Sequence, residues 1–180
     1  MDIIARSPKI WTISSFLSAQ ECSQLILAGE RNGFKEADVG LPGGAKMMKG
    51  IRDNYRAHLE DPDFAEQIWN ALAPLMPTLD DGVRAIGIYD KMRFYRYDVG
   101  QKFKRHIDGR VTHNGHESRL TFMVYLNDDY SGGDTLFNHV LIRPEQGMAL
   151  LFIHEQKHES TPIMQGTKYV LRSDVLYADG

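Results

Sequence analysis

Met92-Arg93-Phe94-Tyr95-Arg96-Tyr97 is the stretch at which this chain turns to β structure. Aromatic side chains fit a pleated, half-buried surface, and the run has neither a helical period nor a glycine or proline to interrupt it. Downstream, Leu120 to Leu126 alternates Leu, Phe, Val and Leu against Thr, Met and Tyr, and Leu136 to Ile142, Met148 to Ile153 and Tyr169 to Tyr177 have the same texture. Gly100, Gly109, Gly115, Gly132-Gly133, Gly147 and Gly166 lie in the connections. Several strands separated by turn signals in this way predict a sandwich or barrel.

Upstream of Ile86 the texture is helical. Ser18-Ala19-Gln20-Glu21 forms a capping box, and a helix started there carries Cys22, Leu25 and Ile26 inward and stops at Asn32-Gly33. Asp61-Pro62 is an N-cap followed by a proline at the first helical position. Phe64, Ile68, Leu72 and Leu75 then recur at helical spacing, which predicts a helix over about 62–75 ended by Pro77. Between Glu36 and Gly50, four glycines and Pro42 mark a loop. It is no phosphate-binding P-loop, because Gly43-Gly44-Ala45-Lys46 lacks the glycine spacing and the Lys-Ser/Thr ending. With Arg52, Asn54 and Arg56 this loop is a candidate substrate lid. The expected architecture is one α+β domain over 1–180: a helical part over about 1–85, with two or three helices packed on one sheet of an all-β core over about 86–178.

Charge and composition exclude several classes. A formal charge of −3, with 21 Lys+Arg against 24 Asp+Glu and no long basic block, gives no compositional support for nucleic-acid binding. Cys22 is the single cysteine, so an intrachain disulfide framework and a cysteine-rich metal site are both excluded. The first residues lack a basic region followed by an apolar core, and no apolar run approaches membrane-spanning length. A soluble, reducing, cytoplasmic setting with no membrane partner is the expectation.

Phe103-Lys104-Arg105-His106-Ile107-Asp108-Gly109 carries the first chemical signal. One intervening residue puts His106 and Asp108 on the same face of an extended strand. With a second histidine, His158, the set is two imidazoles and one carboxylate, the composition of the facial triad that holds non-haem Fe(II) with coordination positions left open. His58, His113, His116 and His139 have no such partner and read as structural or surface residues.

His154-Glu155-Gln156-Lys157-His158 matches the H-E-x-x-H pattern of zinc peptidases. That chemistry needs both histidines on one face of a helix. Here the motif directly follows Met148 to Ile153, which reads as a buried strand, and Pro162 arrives soon after His158, so His154 is expected at a strand end or loop near the site. A zinc peptidase and a non-catalytic metal-binding jelly roll stand as the alternatives to an oxygenase.

Three ordered segments carry a resemblance. Tyr97 to Asp108, then Tyr125-Leu126-Asn127 with Gly132-Gly133-Asp134-Thr135-Leu136-Phe137, then His158 with Lys168-Tyr169-Val170-Leu171-Arg172-Ser173-Asp174, resemble the prolyl 4-hydroxylase-like 2-oxoglutarate and Fe(II)-dependent oxygenases. The resemblance implies a double-stranded β-helix, or jelly roll, and cofactors Fe(II), 2-oxoglutarate and O2, with ascorbate as an optional reductant. It implies that His106, Asp108 and His158 ligate the iron. Lys168 matches the family's basic position for the far carboxylate of 2-oxoglutarate; Arg172 shares its strand face and is the rival. Tyr125 matches a donor to the same carboxylate, Tyr97 a tyrosine lining the same pocket, and Thr121 and Thr135 are further candidates. The implied reaction is oxidative decarboxylation of 2-oxoglutarate to succinate and carbon dioxide, coupled to hydroxylation of a C–H bond in a prolyl residue, a free amino acid or another small metabolite. The expected partner is therefore a small-molecule or peptide substrate.

Overall fold

Period-two alternation divides the molecule into layers. In the computed structural model, which describes residues 1–36, 39–41, 44–46, 53–79 and 82–178, Leu120, Phe122 and Val124 of the His116–Tyr125 strand join one apolar cluster, while Tyr125 and Met123 belong to another. Leu171 and Val175 of the Lys168–Tyr177 strand likewise lie in the first cluster and Val170 in the second. The first cluster is closed by two helices and the second by a smaller sheet.

The main sheet has ten strands. Its principal path runs Ile3–Ser7, Ile10–Ile13, Ala149–Ile153, His116–Tyr125, Lys168–Tyr177, Lys91–Tyr97, Tyr55–Glu60, Lys35–Glu36, every neighbour antiparallel. The facing sheet has four strands, in the order Leu141–Ile142, Thr135–Phe137, His158–Ser160, Phe103–His106. Together they form a double-stranded β-helix with its site between the sheets, beside the paired residues His158 and His106.

The helices form where the capping signals place them. α1 is Ala19–Asn32, where Ser18 and Glu21 complete the reciprocal capping box. α2 is Pro62–Leu72, where the Asp61 side chain accepts the Phe64 N–H; a 3₁₀ turn over Ala73–Leu75 extends it. Cys22, Ala65, Ile68 and Leu72 are buried against the main sheet.

Four expectations change. The first 85 residues are not simply helical: Ile3–Ser7, Ile10–Ile13, Lys35–Glu36 and Tyr55–Glu60 supply four strands of the main sheet. Leu136 to Ile142 is two strands, because Phe137 N–H bonds Val140 O and closes a tight turn. Within 36–50 the chain pairs Val39–Leu41 with Gly44–Lys46 as a small antiparallel hairpin rather than a plain loop. Positions 37–38, 42–43 and 47–52 of that proposed lid, Arg52 included, lie outside the described residues, whereas Asn54 is buried and Arg56 belongs to the Tyr55–Glu60 strand. Finally, the strand carrying His106 ends at His106, so Asp108 is not a strand residue; its N–H instead bonds His154 O at 3.1 Å.

Candidate active site

Direct pairing of His158 with His106 brings two imidazoles onto neighbouring strands, with ring centroids 4.3 Å apart. Each ring is oriented in the same way. His106 Nδ1 lies 2.7 Å from Lys104 O and His158 Nδ1 lies 2.9 Å from Gln156 O. A carbonyl is only an acceptor, so Nδ1 carries the proton in both neutral rings and the lone pair is left on Nε2. Those Nε2 atoms face Asp108: His106 Nε2 is 3.6 Å from Oδ1 and His158 Nε2 is 3.9 Å from Oδ2. One ligand atom from each of the three residues lies within 4.8 Å of the others, the one such cluster among the described residues. Phe103 stacks on His106 at 3.5 Å, and Phe137 and Phe152 pack against His158, so apolar walls hold both rings.

Electrostatics suit a cation here. Burial alone would raise the Asp108 carboxyl, but the Arg172 charge, His106, His158 and the Thr121 hydroxyl hold it well below the ordinary carboxylate range. Burial lowers His158 to about 4. The set is therefore an ionised carboxylate and imidazole lone pairs: two nitrogens and one oxygen, a donor set that fits Fe(II) and leaves further positions open.

The two basic candidates differ in their partners. Arg172 Nη2 is 3.1 Å from Asp108 Oδ2 and 3.1 Å from Asp174 Oδ1, and the guanidinium, though buried, is held strongly protonated by these carboxylates. Lys168 is 1% exposed, and among the described residues it has no carboxylate within ion-pair distance. Its Nζ donates to Gly133 O at 2.5 Å and to Ser160 Oγ at 3.2 Å, and it lies 5.5 Å and 5.2 Å from the ring centres of Tyr97 and Tyr125. Burial pulls it down to about 7. Gly133 has φ +70, a backbone conformation that favours glycine, and it is from this turn that its carbonyl meets the lysine. A buried cation whose hydrogen-bond partners are all neutral, with the Asp134 charge only partly offsetting its burial, is a site for an anion.

Tyr125 Oη and Thr135 Oγ1 are 2.6 Å apart beside that lysine, two hydroxyls that can turn toward a carboxylate. Thr121 is elsewhere: it donates to Asp108 Oδ2 at 2.6 Å, which places it with the metal-ligand set rather than with Lys168. Thr121, Thr135 and Lys168 line one cavity of about 580 Å³ together with His106, Asp108, His158 and Arg172, and its wall also includes Arg56, Arg93, Arg110 and Met123. The His154–His158 segment is not helical: it is a turn leading into the His158–Ser160 strand, so the zinc-peptidase arrangement is absent.

Sequence reasoning did not assign Ser160, Arg93 or Asp174. Asp174 is fully buried between Arg93, 2.7 Å from its Oδ2, and Arg172. The signal was available: a carboxylate inside a strand of large apolar residues needs a cationic partner. Asp174→Ala is expected to cost about 3 kcal/mol, because the partly buried Arg93 loses its 2.7 Å ion pair and buried Arg172 loses one of its two carboxylates while keeping Asp108. The check is a urea titration, with a lowered midpoint at unchanged slope.

Residues 92–173 match the family model of the 2OG-Fe(II) oxygenase superfamily. The chain is 23% identical to the probable prolyl 4-hydroxylase 8 of Arabidopsis thaliana over 76% of its own length, and spans about half (47%) of that relative. Among solved structures, its fold is similar to the 2OG complex of the viral collagen prolyl hydroxylase of Paramecium bursaria Chlorella virus-1, with TM-score 0.66 and 20% identity, covering 94% of this chain and 97% of the other. It is also similar to a Trichoplax adhaerens prolyl hydroxylase in complex with a hypoxia inducible factor peptide fragment, with TM-score 0.69 and 17% identity, covering 94% of this chain and 84% of the other.

Proposed function

We propose that the chain, whose residues 92–173 match the model of the 2OG-Fe(II) oxygenase superfamily, is an Fe(II)- and 2-oxoglutarate-dependent dioxygenase that hydroxylates a C–H bond of a peptide or small-molecule substrate. The observation that carries this reading is the cavity's two groups of residues: His106, Asp108 and His158 in one, and in the other the buried Lys168, whose hydrogen-bond partners are all neutral. One short strand links them. His158 belongs to the first group and Ser160, bonded to Lys168, to the second, and two strand residues rise roughly 6.6 Å. That is the scale of a five-carbon dicarboxylate.

When bound, iron with 2-oxoglutarate and O2 supplies oxidative decarboxylation to succinate and carbon dioxide, coupled to hydroxylation. The protein binds and orients. In this reading His106 and His158 present Nε2 and Asp108 one carboxylate oxygen to the metal. Lys168, with the Tyr125 and Thr135 hydroxyls, takes the far carboxylate of 2-oxoglutarate. Arg172 keeps Asp108 ionised and in place. Phe103, Phe137 and Phe152 keep water from the metal's protein side, and the cavity beside Arg56, Arg93 and Met123 receives the substrate. A peptide occupant is supported by the Trichoplax neighbour, which was solved with a peptide.

The test is anaerobic addition of Fe(II) and 2-oxoglutarate to the purified chain, followed by O2. A visible charge-transfer band and then succinate are the expected results. Neither band nor succinate from folded protein would instead leave a non-catalytic jelly roll.

A further inference from the structure

The first histidine of the H-E-x-x-H motif has no part in the reaction described above, yet it is one of the most tightly held side chains of the molecule. His154 has no solvent exposure. Its Nε2 lies 2.8 Å from Ser118 Oγ and its Nδ1 lies 3.0 Å from Thr121 Oγ1, both on the adjacent His116–Tyr125 strand. Thr121 in turn donates to Asp108 Oδ2 at 2.6 Å, and the His154 carbonyl accepts the Asp108 N–H at 3.1 Å. His154 therefore reaches Asp108 twice, once through a hydroxyl and once through the backbone.

The direction of these bonds follows from donor counting. Ionised Asp108 only accepts, so the single Thr121 hydrogen goes to it and is not available to His154. Nδ1 must then carry the N–H and donate to Thr121. Nε2 is left as an acceptor and takes the Ser118 hydrogen, while Ser118 Oγ accepts the Val111 N–H at 2.9 Å. Every hydrogen in the line from Val111 to Asp108 points toward the carboxylate.

Asp108 needs this support because no strand ladder holds it: the Phe103–His106 strand ends two residues earlier. Its Oδ2 is occupied by Thr121 and Arg172, which turns Oδ1 toward His106 Nε2. We propose that His154 is a positioning residue for Asp108, fixing the carboxylate's rotamer through Thr121 and its backbone through the His154 carbonyl, so that the three metal-binding atoms converge. The proposal rests on the reading of His106, Asp108 and His158 as iron ligands.

Its test is Fe(II) affinity under anaerobic conditions, measured on the whole chain by competition with a chromogenic chelator and needing no turnover. Asparagine can set its amide N–H where Nδ1 lies; glutamine reaches the Nε2 position and leucine offers no donor. His154→Leu and His154→Gln are expected to stay folded, still bind iron and lose roughly 10–100-fold in affinity, the usual effect of removing a partner that orients a ligand. His154→Asn should stay within a few-fold of wild type. Thr121→Val, close in shape, removes the bond to Asp108 itself and should lose at least as much as His154→Leu, and the double variant should be no worse than Thr121→Val alone, since both cut one line. With 2-oxoglutarate added, the charge-transfer band should shift in the Leu and Gln variants and not in Asn.

Wild-type affinity in His154→Leu, or equal losses in Asn and Gln, would overturn the proposal while leaving the iron reading intact. Should the His154 variants fail to fold, Thr121→Val decides: unchanged affinity overturns it. Absence of Fe(II) binding by the wild-type chain would remove the iron reading and this proposal with it.

Discussion

Asp108→Ala is expected to abolish Fe(II) binding and succinate formation together, and His106→Ala and His158→Ala should do the same. The expected magnitude follows from comparison with supporting groups. Removing a residue that merely orients a ligand typically costs about 10–100-fold in metal affinity, so removing one of the three proposed ligands should cost more than that. Apo stability separates this loss from unfolding. Without Asp108, Arg172 retains Asp174 at 3.1 Å, so the guanidinium is not left alone in the core and the fold should persist. Chelator competition measures the metal, and a urea titration measures the fold. A variant that is folded and still binds iron with wild-type affinity would show that the wrong residue has been assigned.

Lys168→Met should separate stability from co-substrate binding in opposite directions. In the free protein the ammonium is buried with neutral hydrogen-bond partners, the Asp134 charge offsets only part of the cost of burial, and its folded-state value is about 7 against the ordinary 10.5. A group that binds its proton less tightly when folded destabilises the fold wherever the unfolded chain is protonated. The penalty is fully present below about pH 7, is on the order of a few kcal/mol, and is relieved as pH rises from about 7 toward 10.5. The wild-type apo protein should therefore gain stability on going alkaline through that window. Lys168→Met should be more stable at pH 6 and show no such rise.

Binding runs the other way. A carboxylate that loses its buried cationic partner forfeits about 2–5 kcal/mol, or roughly 30- to several-thousand-fold in the KM for 2-oxoglutarate. The wild-type affinity should itself fall above pH 7, by up to about tenfold per unit, because the lysine must take up a proton to hold the dicarboxylate. Isothermal titration in buffers of different ionisation enthalpy reads that proton uptake directly. An unchanged KM in Lys168→Met would reject the lysine as the anion site.

Much of the site was legible because its chemistry is local in sequence. The Ser18–Glu21 capping box, the Asp61 N-cap with Pro62 and apolar spacing located both helices, and aromatic and β-branched runs located the central strands. His106 and Asp108 were selected as a pair, but the physical reason was different from the expected one. Side-chain alternation orders residues only where a ladder continues, and the partner strand here, His158–Ser160, is three residues long. The pairing stops at His106, and Asp108 reaches the same point from a loop held by the His154 carbonyl. The N-terminal strands were missed for a related reason: Tyr55–Glu60 has a mixed pattern because Ala57 packs inward while Arg56 faces the cavity.

The amino-acid sequence by itself determined the class of the chain: an all-β core behind two capped helices, with two histidines and an aspartate able to hold a metal, and a basic strand at the far end of the same motif series. It did not decide between Lys168 and Arg172, and it could not, because alternation puts both on one face of one strand. The tertiary structure decided which base is already neutralised. Arg172 lies beside Asp108, brought from a separate loop, and beside Asp174, whereas Lys168 is bordered by Tyr97, Tyr125, Ser160 and the Gly133 carbonyl. Counter-charges contributed by distant segments set how a buried cation behaves, and only the folded chain brings those segments together.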